Sequence, residues 1–337
     1  MRVPTPSFAH LVRMTDTGGL YEHAEGTAPR PEHAYCVDDV ARALVVLCRE
    51  GSDEADVVRL REQYLSFVLG AHDGDGRFHN RRGRDERWHD DASVEDCWGR
   101  ALWGLGAAAA CGDVSRRIEA LAAFNMGASR RSPHVRAMTF AALGAAEVLR
   151  VVPEHPAAVA LLHDAAVMIG RPSGDVAWRW PEARLSYANA ALAEVLLVAG
   201  EASGDQGPLE DGLLMLRWLF ELQTADGHLS VVPVGGRGPG DSIPGFDQQP
   251  IEVAALADAC VRAHAMTGQS YWLHALDRAV GWFLGNNDVG IAMYDERSGG
   301  GFDGLERCGR NENQGAESTL AALSTLQQAR RLTLAVR

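Results

Sequence analysis

The chain has 337 residues, 46% of them hydrophobic, enough for one large core or two ordinary ones. A formal net charge of −13 argues against nucleic-acid and anionic-membrane partners, and no run approaches the ~20 apolar residues of a membrane span or forms an apolar N-terminal leader. There is no lysine, which excludes Schiff-base chemistry, a pyridoxal phosphate linkage and a P-loop. The six cysteines lack any CxxC or tight framework and fit a reducing cytoplasm.

In chain order, helical periodicity predicts helices at 35–50, 53–70, 92–111, 114–127, 133–151, 155–169, 183–200, 206–223, 250–267, 270–285 and 313–332. The first begins within HAYCVDDVARAL (33–44), where Asp38 and Asp39 interrupt an apolar run. The second, EADVVRLREQYLSFVLG (54–70), carries Val57, Leu60, Tyr64, Leu65 and Val68 on one stripe and should keep a wet face. The loop after it, AHDGDGRFHN (71–80), reads as a Gly-rich turn, because EF-hand spacing and the closing Glu are absent. WGRALWGLGAAAACG (98–112) is apolar nearly all round and rich in small residues. So are MTFAALGAAEVL (138–149), YANAALAEVLLVAG (187–200) and PIEVAALADACV (250–261). A helix without a polar face is buried on all sides. GPLEDGLLMLRWLFELQ (207–223) is amphipathic, with Leu209, Leu213, Leu216, Leu219 and Phe220 on its stripe.

Buried and amphipathic helices therefore alternate. Short polar links, as at 51–53 and 112–113, join each pair, and longer loops with Asp/Gly turns beside aromatic residues lead back. A spacing of about 40–65 residues between buried helices marks repeated helical hairpins. The expected fold is all-α, a single domain over 1–337. It is an (α/α)6 toroid of about six hairpins, with the buried helices as inner ring and the amphipathic ones as outer ring. The sixth outer helix is either missing or supplied by the N-terminal segment.

In such a toroid the segments preceding the inner helices share one end. They carry the acids and amides that fit poorly elsewhere. The candidate catalytic carboxylates are Asp38, Asp39, Glu95, Asp96, Asp247, Glu252, Glu312 and Glu317. Candidate substrate-binding groups are Tyr35, Arg42, Arg100, Asn189, Gln248, Gln249, Asn313 and Gln314, with the aromatic residues Phe78, Trp88, Trp178, Trp180, Tyr187 and Phe246. Carboxylates among flat aromatic faces suit a carbohydrate, whose C–H faces stack on rings while its hydroxyls seek planar acceptors. Asp38-x3-Arg42-Ala-Leu recurs as Asp96-x3-Arg100-Ala-Leu. A structural i,i+4 ion pair at a helix start explains one acid per helix but not the doubled DD and ED. The expected division is that Asp38 pairs with Arg42 and leaves Asp39 the freer carboxylate; the opposite assignment stays open, because the sequence does not fix the rotation of the helix. Trp178 and Trp180, just before an inner helix, are the boldest candidates for sugar stacking. Nothing calls for a cofactor or a metal: no histidine pair has the spacing of a helical zinc site, and neither a nucleophile elbow nor GxGxxG occurs.

The hairpin count, the buried inner helices and their acid-rich starts resemble the six-hairpin glycosidase superfamily, the (α/α)6-barrel enzymes. The resemblance spans nearly the whole chain. HAYCVDDVARAL, VEDCWGRALWGLG (94–106) and NENQGAESTLAAL (311–323) are also similar to segments of uncharacterised bacterial proteins associated with sugar transferases. The resemblance implies a carbohydrate-active enzyme, first of all a glycoside hydrolase with two carboxylates, inverting rather than retaining. That outcome needs the carboxylates about 6.5–9.5 Å apart, so the pair must combine different segments. An oligosaccharide or glycoside is the implied substrate. Alternatives are a sugar epimerase or polysaccharide lyase on the same fold, a non-catalytic carbohydrate-binding protein, and a terpene-cyclase-like toroid, for which CVDDVAR lacks the third acid.

Overall fold

The computed structural model describes residues 3–51, 54–111 and 114–335. The α-helices are α1 (Ala9–Arg13), α2 (Val37–Arg49), α3 (Ala55–Gly70), α4 (Asp96–Cys111), α5 (Val114–Gly127), α6 (Val135–Leu149), α7 (Pro156–Ile169), α8 (Ala190–Ser203), α9 (Gln206–Leu222), α10 (Pro250–Thr267), α11 (Ser270–Phe283) and α12 (Ala316–Ala335). All eleven expected helices form. Residues 52–53 and 112–113, within the two short links, lie outside the described residues. The N-terminal segment provides only the five-residue α1. Strands among the described residues are pieces of two or three residues. The largest boundary difference is at α8, which starts seven residues later than 183. Ala188 sits at φ 46° and the Asn189 side chain accepts the Ser186 amide at 3.0 Å, so the chain enters this helix through a turn.

Two compact units make up the chain. One comprises residues 11–24 and 28–169, the other residues 1–10, 25–27 and 170–337. In the first, α4 packs between α2 and α6, while α3, α5 and α7 each pack on the helix before them. In the second, α10 packs between α8 and α12, with α9 on α8 and α11 on α10.

Small residues set the helix spacing. A Cβ on Gly99 would lie 2.2 Å from the Ala137 carbonyl oxygen, and one on Gly106 2.2 Å from that of Gly144. These contacts are seven residues apart on both helices, so α4 and α6 run parallel with their backbones touching. A Cβ on Gly104 of α4 would likewise lie 3.1 Å from the Ala41 carbonyl oxygen of α2. The hairpin α8–α9 is antiparallel: Gly200 meets Leu209 and Gly212 meets Ala193. The all-apolar helices are thus buried because their Ala and Gly faces let neighbours approach on both sides. The amphipathic stripes hold as well. In α3, Val57, Leu60, Tyr64, Leu65 and Val68 are all buried, as are Leu216, Leu219 and Phe220 in α9, where Leu209 and Leu213 are half-buried.

The Asp/Gly loops are turns held by their own side chains. Asp73 Oδ1 accepts the amides of Asp75 and Arg77 at 2.8 and 3.0 Å, and Gly74 and Gly76 take φ of 82° and 86°. That is the Gly-rich turn expected of HDGDG.

Candidate functional site

The N-terminal ends of α2 and α4, in the first unit, gather the densest set of candidates. The N-cap of α2 is Cys36, whose side chain makes no capping bond. Asn80, from the loop after α3, supplies one. Its Oδ1 accepts the Asp38 amide at 3.3 Å, its carbonyl accepts the Val37 amide at 2.9 Å, and its Nδ2 donates to Asp38 Oδ2 at 2.9 Å. Asn80 is held in turn. Asp90 accepts the Asn80 amide at 2.6 Å through Oδ2 and the Arg81 amide at 2.9 Å through Oδ1. Asp38 is half-buried, and its Oδ1 is shut off from solvent without a hydrogen-bond partner. Burial pushes the Asp38 carboxyl above the usual carboxylate range. Arg42 and Arg100 pull it back, and the Asp96 charge adds to the rise.

Asp39 is the opposite case. It is buried, Arg42 Nη2 donates to its Oδ1 at 2.8 Å, and Cys36 Sγ donates to its Oδ2 at 3.1 Å. This reverses the expected division between the two acids. An arginine on a helix can turn to the residue three or four positions back. Here Arg42 gives Asp38 a bond to the main-chain carbonyl, from Nε at 3.1 Å, and gives Asp39 the side-chain ion pair. The rotation of α2 buries Asp39, where a counter-charge is needed. Glu22, Cys36 and Asp39 each bring a potential metal-ligand atom within 4.8 Å of one another. Both carboxylates already face arginines, Glu22 with Arg81 and Asp39 with Arg42.

On α4 the doubled acids also part. Asp96 opens the helix half-buried, whereas Glu95 is exposed. Arg100 is buried, its guanidinium 3.4 Å from the centroid of the Phe140 ring. Sequence reasoning missed Asn80 and Asp90. Asn80 closes one of the recurring Asp/Gly loops, but it lies 42 positions from Asp38, beyond the reach of any local pattern.

In the second unit, Asn189 Nδ2 donates to Glu252 Oε2 at 2.8 Å, and both residues are buried. A cavity of about 230 Å³ beside them is lined by Tyr187, Gln249 and Glu252, with Arg184, Ser186 and residues 232–236. Polar groups converging on a small cavity are what a hydroxylated ligand requires. Other candidates are turned to structural work. Gln248 donates to Gly245 O at 3.2 Å and Asp288 Oδ2 at 2.6 Å, and its Oε1 accepts from the Val231 amide and the Trp282 indole. Gln314 Oε1 accepts the Ser298 hydroxyl at 2.7 Å, and Asn313 Oδ1 accepts the Gly26 amide at 3.0 Å. Asp247 is exposed, Glu312 is an exposed partner of Arg310, and Glu317 is half-buried in the first turn of α12.

The aromatic candidates divide by exposure. Trp178 and Trp180 are buried against Trp218 of α9, with ring centroids 5.1 and 6.2 Å from it. Their indole N–H groups donate to the Glu182 carbonyl and to Glu182 Oε2. Neither face is open to a sugar, so the expectation of stacking there is corrected: the WRWPE loop closes the core. Phe78 is fully buried. Tyr35 is buried with its hydroxyl donating to the Asp16 carboxylate at 2.8 Å. Trp88 keeps part of its surface, stacked on His79 at 5.4 Å, and Phe246 does so beneath Arg307.

Neither a protein-family model nor a curated protein matches the sequence. Solved structures do match along nearly the whole chain. A D-mannose isomerase aligns with a TM-score of 0.72 at 9% identity, over 96% of this chain and 95% of the other. A cellobiose 2-epimerase from Spirochaeta thermophila aligns at 0.67 and 14%, over 97% and 94%. An α-1,6-mannanase of a Salegentibacter species, an inactive variant with two successive aspartates changed to asparagine and α-1,6-mannotriose bound, aligns at 0.65 and 9%, over 96% of each chain. The fold is therefore that of the all-α (α/α)6 barrels. Among the described residues, no helix is long and apolar enough to cross a membrane.

Proposed function

We propose that the protein is a carbohydrate-active enzyme, and specifically a glycoside hydrolase with Asp38 as general acid. Glycoside hydrolysis requires one carboxyl kept protonated and a second kept ionised. The observation that carries this reading is Asp38 itself. Its carboxyl is pushed upward by burial, and it holds one oxygen on Asn80 while the other has no partner. With Oδ2 held by Asn80, Oδ1 is left to carry the proton; it is shut off from solvent in this structure, so donation to a glycosidic oxygen requires the side chain to turn toward the substrate. Asp96, whose charge acts on Asp38, is the second carboxylate in this reading. A pair drawn from α2 and α4 meets the requirement that the two acids come from different segments.

The second reading is a sugar epimerase or isomerase. It is favoured by the fold neighbours that carry those activities and by the small cavity at Tyr187, Gln249 and Glu252, sized for a sugar ring rather than a long chain. Product analysis separates the two. The purified chain is incubated with α-1,6-mannooligosaccharides, cellobiose and mannose, and the products are followed by NMR. New reducing ends identify a hydrolase, whereas an epimer or ketose at constant reducing-end count identifies the second reading. An Asp38→Asn variant as active as the wild type on the true substrate would remove Asp38 from either mechanism.

A further inference from the structure

The chain's cysteines are all free thiols in the structure, and two of them lie together. Cys48 is the penultimate residue of α2 and Cys111 the last of α4. These helices meet at backbone contact where Ala41 faces Gly104. Cys48 and Cys111 stand seven residues further along each, two helical turns on and on the same faces. Their thiols lie within interaction range of each other. Helices held this close by a glycine suit a disulfide, which needs Cα atoms within about 4.4–6.8 Å.

We propose that Cys48 and Cys111 are a modification site that closes reversibly to a disulfide, joining the C-terminal ends of α2 and α4. Cys111 is exposed and Cys48 half-buried, so Cys111 meets the oxidant first. The neighbouring Cys48 thiol also holds the Cys111 thiol below the ordinary cysteine range, and Arg61 acts in the same direction. The oxidant is a hydroperoxide. The Cys111 thiolate attacks one peroxide oxygen, the O–O bond breaks, and the departing oxygen leaves as water or alcohol with the thiol's proton. The resulting sulfenic acid is attacked by the Cys48 sulfur. The S–O bond breaks, the S–S bond forms, and the hydroxyl leaves as water with the Cys48 proton. Two thiols are oxidised and one peroxide is reduced.

The bond forms at the far ends of the helices from Asp38 and Asp96, about 15 Å along α2 from Asp38 at 1.5 Å per residue. Its effect falls on stability and not on the site, and it is independent of the function proposed above. The test treats the full chain with a small excess of hydrogen peroxide. Thiols titrated in denaturant should fall from the six of the sequence to four and return with dithiothreitol. Peptide mass spectrometry should find one Cys48–Cys111 pair, lighter by two hydrogens, and the melting temperature should rise. In Cys48→Ser, dimedone should trap a sulfenic acid at Cys111, and Cys111→Ser should leave Cys48 reduced. The proposal is overturned if wild-type Cys111 oxidises while Cys48 stays a free thiol, or if the disulfide that forms joins two chains through Cys308 or Cys111.

Discussion

Asp38 and Asp39 are adjacent in sequence, and the same conservative change at each should do opposite things. In Asp39→Asn, the ion pair with Arg42 Nη2 is lost at a site where the two side chains are only 3% and 13% exposed. Removing one partner of a buried pair costs about 3–5 kcal/mol, and the Asn carbonyl can still accept a bond, so about 3 kcal/mol is expected. At about 2.1 cal/mol/K per residue over 337 residues, this lowers the melting temperature of a single transition by about 4 °C. In Asp38→Asn the sign differs. Burial raises the carboxyl's pKa, so the folded state disfavours its charge, and stability falls as pH rises from the ordinary carboxylate value through the raised one. The neutral amide removes that loss, and the variant should melt at or above the wild-type temperature near neutral pH. Its turnover should fall by about 10²–10⁴, the usual contribution of a general acid. Scanning calorimetry at neutral pH and at low pH, with turnover on the substrate found by product analysis, reads both quantities. A cold-melting Asp38→Asn beside an unaffected Asp39→Asn would refute the assignment.

Four further outcomes are expected. Asn80→Ala removes a donor that favours the Asp38 carboxylate, so the basic limb of the pH–rate profile, where the general acid loses its proton, should move to higher pH; an unmoved limb would exclude Asn80 as its positioning residue. Trp180→Ala should destabilise by about 3–5 kcal/mol in denaturant titration, and calorimetry should find oligosaccharide affinity unchanged, because the indole is buried on Trp218. Gly106→Ala should destabilise by about 1–3 kcal/mol or more, since its Cβ would meet the Gly144 carbonyl at 2.2 Å. Gly70→Ala, at the end of α3 with nothing within 4 Å of the new methyl, should instead stabilise by about 0.5–1 kcal/mol.

The helices were legible because period and burial agree. An apolar helix with Ala and Gly on every face has no place but between neighbours, and an amphipathic one must lie on the outside of them. Asp38, Asp39, Asp96, Glu252 and Glu317 do stand in first helical turns, whereas Glu95, Asp247 and Glu312 are exposed in the segments before them. The individual roles of these acids were not legible. Whether Arg42 turns to Asp38 or Asp39 depends on how α2 is rotated, and the packing against α4 at Ala41 and Gly104 bears on that. Asn80 could not be found because its bond to Asp38 joins distant loops, and the residue has no motif of its own. Trp178 and Trp180 misled for a related reason. A tryptophan near a site stacks on a sugar or fills the rim, and only the position of Trp218 on another helix decides which. The start of α8 was placed too early because YANAAL has helical composition, while the turn that delays it rests on one positive φ at Ala188.

The glycine contacts between α4 and α6 have a consequence for ancestry. Acids at helix starts can migrate around a site as substrates change, and loops can be rebuilt. A position where any methyl group would strike a carbonyl oxygen at 2.2 Å offers no such latitude, and Gly99 and Gly106 are two of these, spaced seven apart. Gly144 answers them from the facing helix with the same clearance to the Leu102 carbonyl. The backbone contact of α4 with α6 therefore ties these three positions to glycine whatever residues stand at the helix ends. Distant kin should be sought by a glycine at each of these three places, and then asked what chemistry they have put at the helix ends.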